Sequence, residues 1–442
     1  MTESSTTESQ GWTEFRKSLY GLAESDIQSR LSGEVESRVF YNWQHQNAGS
    51  FEYAPIEMLV RTEAATWCLL HSTEYQDLTA AARSVDTGHH FGELVGGNGW
   101  SVLLDLQSFV LRTLDEAVQA AAPGWTIDSA ALDKRVNDLA QLFHEERIPY
   151  ELLILIDPVT LAAPIEVDAN TEVVPLGDSD LLVLVRTGLI PATFQPGRGP
   201  HVVIGPGGRV AIRRRLSASK TIASAAHNQE FQPAIIAEHT YGDIADAIAV
   251  TVGLRPRQVG WLYQGTNPSL PTGCTWRQLR APTKNEQRLI EISNSTHVTE
   301  VYSRISAGLS DSVRLAIRRI GQAVSRRLAA DRLTDSYTAA EALFADLGTH
   351  SKAGSIAARA SAIWPAIDAK VPALEIKTTL EVGYRLRNAI VHGDEKSAQA
   401  VLASSPIAFA DISDLVSRVL DILRKIVIHQ LHRAQVPSTP WR

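Results

Sequence analysis

From about residue 285 to 435 the chain reads as a succession of amphipathic helices joined by short links, and that patterning leaves it few ways to fold. "VRLAIRRIGQAVSRRLAADRLTDSYTAAEALFADL" places apolar residues at Ile317, Ile320, Val324 and Leu328, then at Ala340, Leu343, Phe344 and Leu347. Spacing of three and four residues draws an apolar stripe along a helix. Further helices are predicted in "SIAARASAIW", in "ALEIKTTLEVGYRLRNAIVH" and in "DISDLVSRVLDILRKIVIHQLHR". The last opens with Asp411 or Ser413 as its N-cap and runs about six turns. Stripes so closely linked can bury themselves only against one another, which predicts a helical bundle over residues 284–435 and a tail at 436–442.

The chain before it is mixed. "MTESSTTESQGW" is polar and has no basic start followed by an apolar core, so residues 1–12 are expected to be a disordered lead rather than a secretory signal. Residues 13–145 read as mostly helical, in "WSVLLDLQSFVLRTLDEAVQAAA" and "SAALDKRVNDLAQLFHEE", with "APGW" breaking between them. "YELLILIDP" is a compact run that suits a buried strand, "APIEVDANTEVVPL" alternates, and "HVVIGPGGRVAIRRR" reads as a hairpin turning at "GPGG". These place a small sheet at about 146–216, followed by a helix at "YGDIADAIAVTVGL". Residues 254–284, rich in Pro, Gly, Thr and Asn, mark an expected boundary, so that 146–283 forms a small mixed α/β region with a linker. The predicted class is mainly α with a small β element (α+β): a C-terminal helical bundle preceded by a mixed helix and sheet N-terminal region.

Every long apolar run is broken by charge or proline, which argues against a membrane span. Cys68 and Cys274 lie far apart and offer no disulfide framework, in keeping with a reducing cytoplasm. Residues 284–442 hold 21 Lys and Arg against 16 Asp and Glu, a balance of +5, while the remainder holds 21 against 33, or −12. The basic third is where an anionic partner would be favoured.

Several motifs look chemical and are better read as structure. "GPGG" at 205–208 and "GGNG" at 96–99 lack the Lys-Ser/Thr of a phosphate-cradling loop. Cys68 and His71 have a metal-ligand spacing, with His89 and His90 downstream, but no second cysteine pair completes a tetrahedral site. His71 is expected to pack on the helix it shares with Trp67 and Leu70. Arg213, Arg214 and Arg215 read as a solvated strand edge. Neither a metal nor a cofactor is expected.

"EVGYRLRNAIVHGDE", residues 381–395, puts Arg387 and Asn388 just ahead of His392 and then meets Gly393. Spacing alone decides nothing: with 33 Arg and 13 His, chance supplies about one Arg-x4-His pair. Arg424 and His429 share the spacing but lie inside a long helix, where five residues turn about 140° beyond a full turn and the side chains point apart. Arg83 precedes a turn-rich segment with no helix to fix its partners. At 387–392 the glycine is a natural C′ residue, so the histidine is expected to leave the helical path. A histidine at a helix C-terminus is favoured in its protonated form, which suits a general acid.

On "YRLRNAIVHG", with its aromatic before and glycine after, the C-terminal region resembles the HEPN domain, in particular its Apea-like branch. That family is marked by Arg, a polar residue, and His after four to six intervening residues, matched here by Arg387, Asn388 and His392. Arg385 also falls within range but lacks the adjacent polar residue. "SRRLAADRLTDSYTAAEALFAD" is similar to the branch's basic-then-acidic helix, with Glu341 in the acidic position, and "GSIAARASAIW" resembles the helix after it, around Arg359. The resemblance implies a metal-independent endoribonuclease acting as a homodimer through the C-terminal helical domain, with RNA as partner. His392 would move protons, Arg387 would hold the crowded phosphate, and Asn388 would orient the histidine or bond the phosphate. Glu341 would hold Arg387, and Arg318, Arg319, Arg326 and Arg327 would track the RNA backbone. The alternative is a catalytically silent module serving as an RNA-binding or dimerisation scaffold. A third option is a toxin restrained by residues 1–283 or by a regulatory protein.

Overall fold

The computed structural model describes residues 10–433 apart from short segments, the longest being 220–232, 266–273 and 280–289. The chain begins with α1 (Gln10–Leu31) and a long hairpin of β1 (Val35–Asn47) and β2 (Ser50–Arg61). Then come α2 (Glu63–Leu70), α3 (Thr73–Val85), the hairpin β3 (Glu93–Gly96) and β4 (Trp100–Leu103), and α4 (Leu106–Ala117). The hairpin β5 (Val118–Ala121) and β6 (Gly124–Ile127) leads into α5 (Ser129–His144). Strands dominate next: β7 (Arg147–Asp157), β8 (Val159–Thr160), β9 (Ile165–Asp168), β10 (Thr171–Pro175), then α6 (Asp178–Arg186), β11 (Thr193–Phe194), β12 (Pro200–Val203) and β13 (Val210–Ser219). They are followed by α7 (Pro233–Val252), β14 (Arg257–Gly265), β15 (Cys274–Gln278) and β16 (Ile290–Glu291). The remainder is helical: α8 (Ser295–Ser306), α9 (Asp311–Ser325), α10 (Ala329–Phe344), α11 (Lys352–Ile363), α12 (Ala373–Val391), α13 (Glu395–Ala403) and α14 (Ile412–Arg433). The class is mainly α with a smaller β part. No helix among the described residues is long and apolar enough to cross a membrane.

Helix starts follow local chemistry. The side chains of Thr62, Ser72, Asp105 and Asp128 each accept a bond from the backbone N–H three residues on, satisfying a donor the first turn leaves open. Asp411 does the same for α14 through the Asp414 N–H at 2.8 Å, which settles the choice between Asp411 and Ser413.

The main sheet has the order β15-β14-β7-β13-β10-β9, antiparallel throughout. Its central β7 is buried on both faces, which explains its unbroken apolar run. Tyr150, Leu152, Ile154 and Ile156 join the large core that continues into the bundle. Leu153 and Leu155 join a second cluster with Leu181, Leu184 and Val185 of α6.

The strands are not confined to 146–216, however. β1 and β2 occupy a stretch expected to be helical, and "VESRVFYNWQHQN" carries the β-branched and aromatic residues that favour a pleated surface. β14 and β15 lie in the expected linker at 254–284, where β14 pairs with β7. Nor do the strands flanking "GPGG" form a hairpin. β12 pairs with β2 and β11, whereas β13 pairs with β7 and β10, so tertiary pairing overrides the local turn signal. The turn itself lies outside the described residues. Because β13 is interior, Arg213–Arg215 do not form a strand edge: Arg213 pairs with Glu151, Glu172 and Asp180, Arg215 pairs with Glu172, and Arg214 bonds Thr240. In "WSVLLDLQSFVLRTLDEAVQAAA" the helix is limited to α4, strands taking both ends. The long segment from 313 also breaks, at Arg326, which is extended (φ −73°, ψ 142°), leaving Leu328 63% exposed rather than in the stripe. Leu347 lies outside the described residues.

α7 joins the two parts. It packs against β7 and β14 on one side and against α8, α9 and α14 on the other. At its C-terminus Arg424 of α14 donates from Nε to the Val250 carbonyl (2.8 Å) and from Nη2 to the Thr251 carbonyl (2.6 Å). Carbonyls at a helix end lack partners within the helix and carry partial negative charge, so a guanidinium there is doubly favoured. Gly253 makes the approach feasible: its φ is +83°, and a Cβ there would lie 2.5 Å from Arg424 Nη1. Hydrogen bonds to charged groups contribute about 1.5–3 kcal/mol, so Arg424→Ala is expected to lower unfolding stability by roughly that much in urea denaturation. Arg424→Lys should recover only part of it, since an ammonium lacks the planar fork.

Candidate active site at the end of a bundle helix

The motif lies on α12, which is set against α10 by aromatic contacts. The Tyr337 hydroxyl, wholly buried, donates to the Leu380 carbonyl at 2.7 Å. Its ring meets Tyr384 edge-on, centroids 5.2 Å apart at 88°. Tyr384 in turn donates from its hydroxyl to Glu341 Oε1 (3.0 Å), and the Arg387 guanidinium stands over its ring, 5.9 Å from the centroid. Burial, followed by the bond to Glu341, pushes the Tyr384 phenol above its ordinary pKa, so it stays a neutral donor.

Glu341 does not pair with Arg387. Its partners are Tyr384 and Lys352, the latter at 3.6 Å, and Tyr384 stands between the carboxylate and the guanidinium. Arg387 is half-buried, forms no ion pair among the described residues, and donates from Nη1 to Asn388 Oδ1 at 3.1 Å. Its Nε is buried without a partner. A half-buried guanidinium with no carboxylate beside it among the described residues keeps its donors available to another anion.

His392 is the C-cap of α12 and is exposed, with no side-chain hydrogen bond among the described residues. Its N–H donates to the Asn388 carbonyl at 3.0 Å. The helix ends at Val391 and the His392 backbone (φ −86°, ψ 1°) already lies outside the helical region; the chain then turns at Gly393, whose φ is +70°. The bonds from Gly393 N to the Ile390 carbonyl (3.0 Å) and from Asp394 N to the Ala389 carbonyl (2.9 Å) form a Schellman closure. Continued on helical geometry, the position of His392 lies about 140° around the axis from Arg387 and about 40° from Asn388. Asn388 is the link: its side chain holds Arg387, and its face carries His392. Arg385, exposed and about 160° around the helix from Arg387, contacts the carbonyl of Glu381 in its own helix.

The four arginines on and after α9 do not act alike. Arg319 Nη1 and Arg326 Nε, each 3.1 Å from an oxygen of the same carboxylate, clamp the buried Asp335 and bind α9 to α10. Arg318 and Arg327 are exposed. Arg359 bonds the carbonyl of Phe344 at the end of α10 (2.9 Å). Elsewhere, His71 stacks on Trp67 (centroids 4.1 Å) and bonds its carbonyl, as expected, Cys68 is exposed, and His89 and His90 lie outside the described residues.

Sequence reading missed Tyr384 as the intermediary, although its i,i+3 spacing from Arg387 was the available signal. Comparison with known proteins adds no family: no family model, curated protein or solved structure matches the chain.

Gly393→Ala forces a Cβ into left-handed backbone and is expected to cost about 1–2 kcal/mol. Because the Schellman closure is local, the loss should appear as faster hydrogen exchange at the amides of residues 392–394, with the exchange of α10 unchanged.

Proposed function

We propose that the protein is a metal-independent endoribonuclease of HEPN type, acting in prokaryotic defence or stress response. The observation that supports this reading is the pairing, through Asn388, of a guanidinium that has no carboxylate partner among the described residues with an imidazole exposed at a helix end. Arg387 is an open anion site, and the phosphodiester of RNA is an anion its planar fork fits. His392 is free to move protons in solvent.

In the proposed reaction the 2′-hydroxyl attacks the adjacent phosphorus. The O2′–P bond forms and the P–O5′ bond breaks. One histidine takes the 2′-proton, another gives a proton to the leaving O5′, and Arg387 offsets the extra phosphate charge. A single chain supplies one such histidine, at a position about 140° around the helix axis from its own Arg387. A homodimer meeting at this end of α12 supplies two, and Val391, 53% exposed beside His392, is an apolar contact available to it.

The same divergence of Arg387 and His392 favours a second reading, in which the domain binds RNA or dimerises without cleaving. Cleavage assays with EDTA separate the two. The nuclease should cut RNA to 2′,3′-cyclic phosphate ends in chelator and leave DNA intact, since DNA lacks the 2′-hydroxyl. His392→Ala and Arg387→Ala should each slow cleavage about a hundredfold or more, and only the arginine change should weaken RNA binding strongly. Cleavage unchanged in His392→Ala would remove the site from the chemistry, and binding without cleavage by wild type would establish the scaffold.

A further inference from the structure

Away from α12, two imidazoles and a carboxylate meet where α8 passes the last turn of α14. His297 and Glu300 are three residues apart and so share a face of α8. His432 reaches them from the end of α14, placing its Nε2 3.7 Å from Glu300 Oε2. The two rings stand edge to face, centroids 6.3 Å apart at 83°. One ligand atom from each of the three residues lies within 4.8 Å of the others.

An ion pair between Glu300 and protonated His432 explains little of this. Both side chains are 48% exposed, where such a pair contributes little. A divalent cation accounts for all three groups. Neutral imidazoles offer lone pairs and the carboxylate brings negative charge, and His2Glu is a donor set zinc uses with its fourth position open. Bonds of about 2.0–2.1 Å in a tetrahedron put ligand atoms about 3.4 Å apart, so the present separations need only small side-chain adjustments.

The backbones that carry the ligands are fixed. α8 is held through Thr299 to the Glu166 carbonyl (2.8 Å) and through Tyr302 to Asp168 (3.0 Å), with Val298, Val301 and Ile305 buried. On α14, Gln430 and Leu431 are buried directly before His432. Ligands on anchored helices are the arrangement that binds a metal with little reorganisation. A cleft of about 460 Å³, bordered by Glu300, Ser303, Arg304 and His432, adjoins the cluster. It leaves room for a water or small anion in the fourth position, with Arg304 beside it to favour the anion.

We infer that His297, Glu300 and His432 form a site for a zinc-class divalent metal that fastens the end of α14 to α8. Imidazole donors favour zinc, cobalt, nickel or copper over magnesium and calcium, which prefer all-oxygen shells. None of the ligands belongs to α12, and the inference stands apart from the proposed RNA cleavage.

The test uses the full chain without a histidine tag, stripped of metal and titrated with Zn²⁺ against a chromophoric chelator, and with Co²⁺ read by visible absorption. Wild type should bind one Zn²⁺, give the absorption of tetrahedral cobalt, and melt a few degrees higher with zinc, while magnesium does nothing. His297→Ala, His432→Ala and Glu300→Gln should each weaken zinc binding at least about a hundredfold and abolish the thermal shift, with circular dichroism confirming the fold. His71→Ala, outside the cluster, should bind as wild type does. Zinc bound equally by wild type and by both histidine variants, or no binding by wild type at micromolar zinc, would overturn the assignment.

Discussion

Arg424 is the point on which the two parts of the molecule depend. Its guanidinium is largely removed from water, and burial lowers its pKa from the usual arginine value against a smaller opposing pull from Asp421. Its hydrogen bonds go to the carbonyls of Val250 and Thr251, left open by the ending of α7. The geometry is demanding. α7 must stop at that residue, Gly253 must take a left-handed turn, and α14 must pass at one register. A second contact of the same character lies nearby, where Arg255 bonds Asp246 (2.7 Å) beneath α9. Burial raises the Asp246 carboxyl against the opposing pull of Arg255, so the contact specifies position more than it adds stability. Around these polar pins lies a continuous apolar core that runs from β7 through α7 into α9, α10, α12 and α14.

The candidate site follows from that frame. α12 is positioned by Tyr337 and Tyr384, and the order Glu341, Tyr384, Arg387, Asn388 is a chain of contacts that crosses from α10 to α12 and follows α12 towards its exposed end. Each member touches the next, and the last of them lies one helical turn before His392. The carboxylate thus acts at a distance, by holding the phenol on which the guanidinium rests.

Legibility in the sequence tracked how local each cause was. The bundle helices, the Asp411 cap and the Gly393 terminus were readable because periodicity, capping and left-handed turns are set within a few residues. β7 was readable because burial on both faces leaves an uninterrupted apolar run. The β1–β2 hairpin was missed although alternation and aromatic residues were present, and β14 was hidden among turn-forming neighbours. The pairing of β12 with β2 could not be read from "GPGG", since it depends on a strand about 150 residues earlier. The same holds for Asp335, which claims Arg319 and Arg326, and for His432, whose neighbours on α8 lie more than a hundred residues before it.

The packing also bears on how such a site could be controlled. A domain silenced by residues 1–283 and freed by their removal would need a separable junction, and α7 is not one. Ile244, Ala247 and Ile248 belong to the same core as Ile317, Ile320 and Ile426, so stripping α7 away would expose the bundle's own apolar surface and leave Arg424 without acceptors. By contrast, among the described residues no hydrogen bond or ion pair ties anything before residue 284 to α12, and His392 stands in solvent at its end. A second copy or another protein covering that helix end would reach the candidate residues without disturbing the core. The architecture therefore has no separable junction at α7, whereas the end of α12 stands open.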